Sequence, residues 1–295
     1  MKNKNPLAPH ADELRAMRNE LSSLRASIES LCHKRENEIF YALKRRGFAF
    51  QSANPTERLL SGPNRSPAAE EALYEKLKKY SFRLFVRDVV AREKPFKISE
   101  VTKYSTRETS IRYIAFLRSL GIVEKVGADR FSLSSHSVYN FGDTFEWFVA
   151  KLFENEFHVP SAWGVKLKET KSGGDFDVIV FIEGNLVYVE VKSSPPKHIE
   201  QNEVAAFFNR IDDLKPDLSI FVEDTRLRMR DKIVVMFEEE LNRRMTPGKR
   251  TRYRMNRVLG EIFSFEGKIF ISNSKPDIAS NLGVCIQSLL RRGAP

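Results

Sequence analysis

The residue types best suited to chemistry are Asp177, Glu190 and Lys192. They lie in the run Asp175-Phe176-Asp177-Val178-Ile179-Val180-Phe181-Ile182-Glu183-Gly184-Asn185-Leu186-Val187-Tyr188-Val189-Glu190-Val191-Lys192. Both arms alternate and are rich in β-branched and aromatic residues, and Gly184-Asn185 suits a two-residue turn with φ > 0, so the run predicts a β-hairpin. That turn pairs Glu183 with Leu186, Phe181 with Tyr188, Ile179 with Glu190 and Asp177 with Lys192. The period of two then puts Phe176, Val178, Val180, Ile182, Val187, Val189 and Val191 on one apolar, buried side. Asp177, Glu190 and Lys192 share the opposite side at the open end, with Asp175 one step beyond as a rival acid. Two carboxylates held side by side repel unless a cation lies between them, so the arrangement invites a divalent metal. Glu-x-Lys alone is a common tripeptide; the shared face gives it weight.

The elements around the hairpin must position these groups. Hydrophobic periodicity predicts a helix over 142–157, a strand over 165–169, a helix over 199–213 and a strand over 218–222. On the first helix Glu146 shares a side with Val149 and Phe153 and is turned toward the sheet. The Asp–x12–Glu–x–Lys spacing, with this element order, resembles the PD-(D/E)XK nuclease superfamily. The resemblance covers about residues 140–223 and implies an α/β, restriction-endonuclease-like αβββαβ core. The literal Pro-Asp is absent, since Phe176 precedes Asp177.

The resemblance implies phosphodiester hydrolysis by metal-activated water. Asp177 and Glu190, with the main-chain carbonyl of Val191, would hold Mg2+ or Mn2+, and Glu146 would supply a further metal-facing acid. Lys192 would orient or deprotonate the attacking water and offset charge on phosphorus, and Gln201 is a candidate for positioning substrate. Other chemistries lack their parts. The five histidines form no close pair, no Gly-x-Ser-x-Gly or phosphate-cradling glycine loop is present, and Cys32 and Cys285 cannot build a cysteine zinc site.

Three further regions shape the expected organisation. Leu14, Met17, Leu21, Leu24, Ile28 and Leu31 recur at steps of three and four without Pro or Gly, a heptad seam that predicts a coiled-coil helix and a homodimer. A Ser/Asn/Pro/Gly-rich stretch over 51–67 reads as a linker. Residues 68–133 read as helices followed by a two-stranded ribbon and resemble a winged helix-turn-helix. Thr106 would cap the helix over 107–120, Ile111, Ile114, Leu117 and Leu120 would face inward, and Gly121 would end it. If so, Arg107, Thr109, Ser110, Arg112 and Tyr113 lie near the exposed side of a recognition helix, with Lys125 and Arg130 near the wing. The expected division is 1–66 coiled coil and linker, 67–135 winged helix, and 136–295 nuclease domain with a C-terminal extension. That extension should hold a helix over 226–245, a hairpin over 261–272 and a final helix over 276–292.

The 295 residues carry 49 Lys+Arg against 39 Asp+Glu, a net charge of +10, which favours a polyanionic partner, DNA first. The excess concentrates in residues 225–257, which hold eleven bases and four acids. Within it, Lys249, Arg250, Arg252, Arg254 and Arg257 are candidates to lie along phosphates. No apolar run approaches the roughly 20 residues needed to span a bilayer, and the N-terminus is polar, so the expected setting is cytoplasmic, with no membrane partner. The reading is a Mg2+-dependent DNA endonuclease; its rivals are a non-catalytic DNA-binding regulator and an assembly adaptor.

Overall fold

The computed structural model describes residues 8–63, 66–135, 138, 140–245 and 253–293, with the backbone alone for 8–12, 25–26, 28–37 and 293. In chain order the helices are α1 (Ala8–Arg45), α2 (Pro67–Leu77), α3 (Tyr80–Val90), α4 (Arg107–Ser119), α5 (Gly142–Glu156), α6 (Gln201–Leu214), α7 (Ile233–Met245) and α8 (Ile278–Gly293). The strands are β1 (Ala49–Ser52), β2 (Val123–Lys125), β3 (Phe131–Leu133), β4 (Ser161–Lys168), β5 (Asp175–Ile182), β6 (Asn185–Lys192), β7 (Leu218–Glu223), β8 (Asn256–Leu259), β9 (Ile262–Phe265) and β10 (Ile269–Asn273). No helix among the described residues is long and apolar enough to cross a membrane.

Eight strands form one mixed sheet in the order β1-β4-β5-β6-β7-β10-β9-β8. The β6/β7 and β7/β10 pairs are parallel and the rest antiparallel, because α6 and α7 carry the chain back across the sheet between β6, β7 and the later strands. Both faces of the central strands β5, β6, β7 and β10 are covered, while the edge strands β1 and β8 are largely exposed. On one face lie α5 and α8, with α2–α4 packed beyond α5; on the other lie α6, α7 and the root of α1 at Ile39, Ala42 and Leu43. Helix α5 serves its side through Phe145, Trp147, Phe148, Val149, Leu152 and Phe153, an aromatic stripe too wide for an exposed helix.

Several expectations are corrected. The β5/β6 ladder pairs Ile182 with Asn185, Phe181 with Leu186, Ile179 with Tyr188 and Val178 with Val189, so Glu183-Gly184 form the turn. Both take positive φ, 47° and 80°, as a tight hairpin turn requires, and the Asn185 amide braces them by donating to the carbonyls of Ile182 and Glu183. The shift is two residues, so Asp177, Glu190 and Lys192 keep a common side. Phe176 does not: it packs edge-on against Tyr188, with ring centroids 5.5 Å apart, in the layer under α6. Trp163 and Val178 lie in one layer and their neighbours two steps on, Val165 and Phe176, in the other. The change occurs where Gly164 bends β4 with φ +52°.

The stretch over 51–67 is not a bare linker, since β1 supplies the sheet's edge strand beside β4. Strand β4 begins earlier than expected, α7 begins at Ile233, β8 is an added strand, and α8 begins at Ile278 rather than at Pro276 and includes Gly293. In α4 the buried stripe is Ser110, Tyr113, Ile114 and Leu117, leaving Ile111 exposed. Thr106 does cap α4, accepting from the Thr109 amide at 3.3 Å.

Arg83 ties the helical region to the sheet. Its guanidinium donates to Asp224 just past β7 at 3.0 and 2.8 Å, to Ser274 and to the Leu77 carbonyl, all out of solvent.

Candidate active site

The cleft lies where β4, β5, β6 and α5 meet. Asp177 is half-buried and accepts a hydrogen bond from the Val191 amide at 2.9 Å, which fixes it beside β6. Glu190 is fully buried. Its carboxylate receives the Lys192 ammonium at 2.8 Å, the Arg210 guanidinium at 3.2 and 3.1 Å, and the Tyr188 hydroxyl. The Lys192 ammonium also stands 3.6 Å from Glu203. Glu146 enters from α5, its Oε2 only 3.8 Å from where a Cβ on Gly164 would sit. Residues 51–58 wall the other side: Asn54 exchanges backbone and side-chain hydrogen bonds with Trp163, which presses Pro55 onto Gly164. The resulting cavity is about 720 Å3, and Asp143, Glu146, Asp175, Asp177, Lys166 and Arg210 contribute to its lining.

The electrostatics divide the groups into two sets. Burial first, and then the negative charges of Asp177, Asp143 and Glu190, push the Glu146 carboxyl well above its ordinary range. Burial and then Glu190 likewise raise Asp177, against the pull of Lys192, the Val191 amide and Arg210. For Lys192, burial works against the charge, but Glu190 and Asp177 overcome it and hold the ammonium above its ordinary range. Lys192 is therefore a firm cation and a poor proton acceptor.

Among the described residues no group of three or more His, Cys, Asp or Glu side chains stands close enough to hold a metal ion. The donor chemistry nevertheless fits an oxygen-ligated divalent ion. Glu146 and Asp177 are hard oxygen donors whose charges are penalised by burial and by each other, and neither has an ion pair among the described residues. Glu190 is committed instead to Lys192, Arg210 and Tyr188.

The structure thus brings Glu146 and Asp177 into one cavity, with the buried Glu190 and its ion-pair partner Lys192 behind Asp177 and outside the cavity lining. Asp175 stands exposed at its rim, 3.7 Å from Lys166. Gln201 points elsewhere, donating to the Met236 carbonyl. Arg210 and Glu203 were missed, although α6 carried a signal: Glu203, Phe207, Arg210 and Leu214 recur at i, i+4, i+7 and i+11, so charged residues occupy the inward stripe.

The candidate DNA contacts divide. Arg107, Arg112, Lys125 and Arg130 are exposed and Thr109 is half-buried. Ser110 and Tyr113 are buried, because they lie on the inward stripe of α4: Ser110 bonds Ser105 and the Val101 carbonyl, and Tyr113 packs on Phe82 and Phe85. Neither can face a groove. Arg254 and Arg257 are exposed, with Arg257 paired to Glu261 at 2.9 Å, while Lys249, Arg250 and Arg252 lie outside the described residues.

No family model and no curated protein matches the chain. Several solved structures are similar to it, among them these two. Protein VC1899 from Vibrio cholerae is 13% identical with a TM-score of 0.43, over 61% of this chain and 52% of its own. Can2 from Sulfobacillus thermosulfidooxidans, solved in complex with cyclic tetra-adenylate, is 16% identical with a TM-score of 0.47, over 82% and 58%. The chain thus spans a little over half the length of each.

Proposed function

We propose that the chain is a metal-dependent DNA endonuclease of the PD-(D/E)XK kind, with α4 and the β2/β3 ribbon acting as a winged helix on duplex. The observation that supports this reading is the pairing of Glu146 and Asp177 in one cavity, within electrostatic reach of Glu190 and Lys192. Asp177 and Glu146, joined by Glu190, would hold Mg2+ or Mn2+. Such an ion, when bound, would supply Lewis-acid chemistry at the scissile phosphate and the attacking water.

The chain's own groups do the rest. The Val191 amide orients Asp177, and Lys192, an ammonium 2.8 Å from Glu190, would offset the charge developing on phosphorus. Arg210 and Lys166 add positive charge around the cavity for the phosphodiester backbone. Arg107, Arg112, Lys125 and Arg130 would meet backbone phosphates away from the cut, joined by Arg254 and Arg257. A second copy of the chain is the proposed protein partner.

One observation favours a second reading, a DNA-binding regulator on a nuclease scaffold: Glu190 is already neutralised by Lys192 and Arg210. Incubation of the purified protein with linear, supercoiled and branched DNA and with RNA, in Mg2+ or Mn2+, separates the two. Cutting by the wild type that is lost in Asp177→Ala and Lys192→Ala supports the enzyme. Salt-sensitive DNA retention with no cutting of any substrate supports the regulator.

A further inference from the structure

Among the described side chains of helix α1, those buried against the body lie near its C-terminal end. Ile39, Ala42 and Leu43 are buried there, and Arg46 just beyond the helix anchors that end to Asp217 at 2.7 Å and to the Lys215 carbonyl. Toward the other end the same helix exposes four large apolar side chains: Leu14 at 67%, Met17 at 62%, Leu21 at 58% and Leu24 at 54%. Their spacing of three, four and three residues is a coiled-coil seam with Leu14 and Leu21 at a and Met17 and Leu24 at d. Four such side chains on one stripe are an unfilled contact, and the charges beside them specify what fills it.

With that register Glu13 and Glu20 occupy g positions, and Arg18 and Arg25 occupy e positions. In a parallel pair of identical helices, each g residue faces the e residue five places on in the other strand. Glu13 then meets Arg18 and Glu20 meets Arg25, attractive at every step and repeated by symmetry. An antiparallel pair sets g against g and e against e, glutamate on glutamate and arginine on arginine. We infer that the seam of α1 is a homodimerisation surface that pairs two copies in parallel. This rests on the proposal that a second copy is the partner, and it adds the orientation. Parallel pairing brings both α1 roots to the same end, so two bodies and two clefts hang side by side about one two-fold axis.

The test is sedimentation velocity of the full chain across a concentration series, combined with a cysteine at one d position, Leu24→Cys in a Cys32→Ser background. A parallel pair sets the two introduced thiols across from each other, so mild oxidation should give near-complete crosslinked dimer. Glu20→Arg should weaken the dimer at least tenfold and Arg25→Glu on top of it should restore it, because the swap rebuilds the g-to-e pair. A monomer at every concentration overturns both the partner and the orientation. A dimer that does not crosslink and ignores the charge changes overturns the orientation alone. The readout is independent of nuclease activity, so neither outcome is confused with failure of the proposed chemistry.

Discussion

The Arg210 guanidinium spans both carboxylate oxygens of Glu190, at 3.2 and 3.1 Å, from the inward stripe of α6. This places a resident cation against an acid that the proposed chemistry needs for a metal. Under the proposed chemistry, cation binding and release of Glu190 would be coupled, and a freed Arg210 would be available to the phosphate. In Arg210→Gln, divalent-ion affinity measured by calorimetry with Ca2+ should rise several-fold while Mg2+-dependent cleavage falls at least tenfold. Unchanged Ca2+ affinity would mean that Arg210 does not compete for Glu190.

The raised Asp177 and Glu146 carboxyls make the site a cost to the metal-free fold. Each binds protons over a range in which the unfolded chain has lost them, so stability without metal falls as pH rises through that range. Asp177→Asn removes one charge from the cluster. In EDTA at pH 8 it should be more stable than the wild type by about 1–2 kcal/mol, with the gain shrinking toward pH 5, while cleavage is abolished. Urea melts at the two pH values measure this; a destabilised Asp177→Asn at pH 8 contradicts the electrostatic account.

Much of this site could be read from local sequence, because a strand's period of two survives an error in the turn. The loop moved by one residue, from Gly184-Asn185 to Glu183-Gly184, yet Asp177, Glu190 and Lys192 stayed on one side because each residue's cross-strand partner then changed by two. What escaped was non-local. Strand β1 is four residues long, without clear alternation, and finds its partner β4 over a hundred residues later. Phe176 changed layers because of a bend at Gly164 in the neighbouring strand, which its own periodicity does not record. On α4, Ile114 and Leu117 lie inward as expected, but the buried stripe extends to Ser110 and Tyr113 on one side and stops short of Ile111 on the other, an edge that steps of three do not define.

Gly164 is a position where a methyl group should be felt at once. It holds φ +52°, and an added Cβ would come within 2.8 Å of Pro55 Cδ and 3.8 Å of the Glu146 carboxylate. Gly164→Ala should lose about 1–3 kcal/mol of stability from backbone strain and the forced shift of the 53–58 wall. Cleavage per folded molecule should also drop, since Glu146 shares that space. Gly173→Ala, at φ +98° with nothing within 4 Å of the added Cβ, is the control for strain without a clash.

The Arg83–Asp224 pair offers a stability test away from the cleft. Their side chains are 2% and 0% exposed, so removing one leaves the other buried and uncompensated. Asp224→Ala should cost about 3–5 kcal/mol, whereas the paired change Arg83→Met with Asp224→Leu should recover most of that loss. Denaturant midpoints of the three proteins decide it. Equal losses in the single and double variants would show that an uncompensated Arg83 charge is not the source of the loss.

Glu223, at the end of β7, is fully buried, and neither of its carboxylate oxygens has a hydrogen-bond partner among the described residues. Burial is the main cause that lifts its pKa from 4.5 to about 8, with Asp224 and Glu203 adding to the rise and Lys232 and Arg87 opposing it. Between those two values the folded chain binds the proton and the unfolded chain does not, so this group makes stability fall as pH climbs through the window. Glu223→Gln keeps the shape and removes the titration. It should match the wild type near pH 5 and exceed it at pH 8 by about 1–3 kcal/mol, a discounted share of the full linkage energy. A difference of the same size at both pH values would mean that the carboxyl does not titrate in this range, and would shift the explanation from protonation to packing around β7.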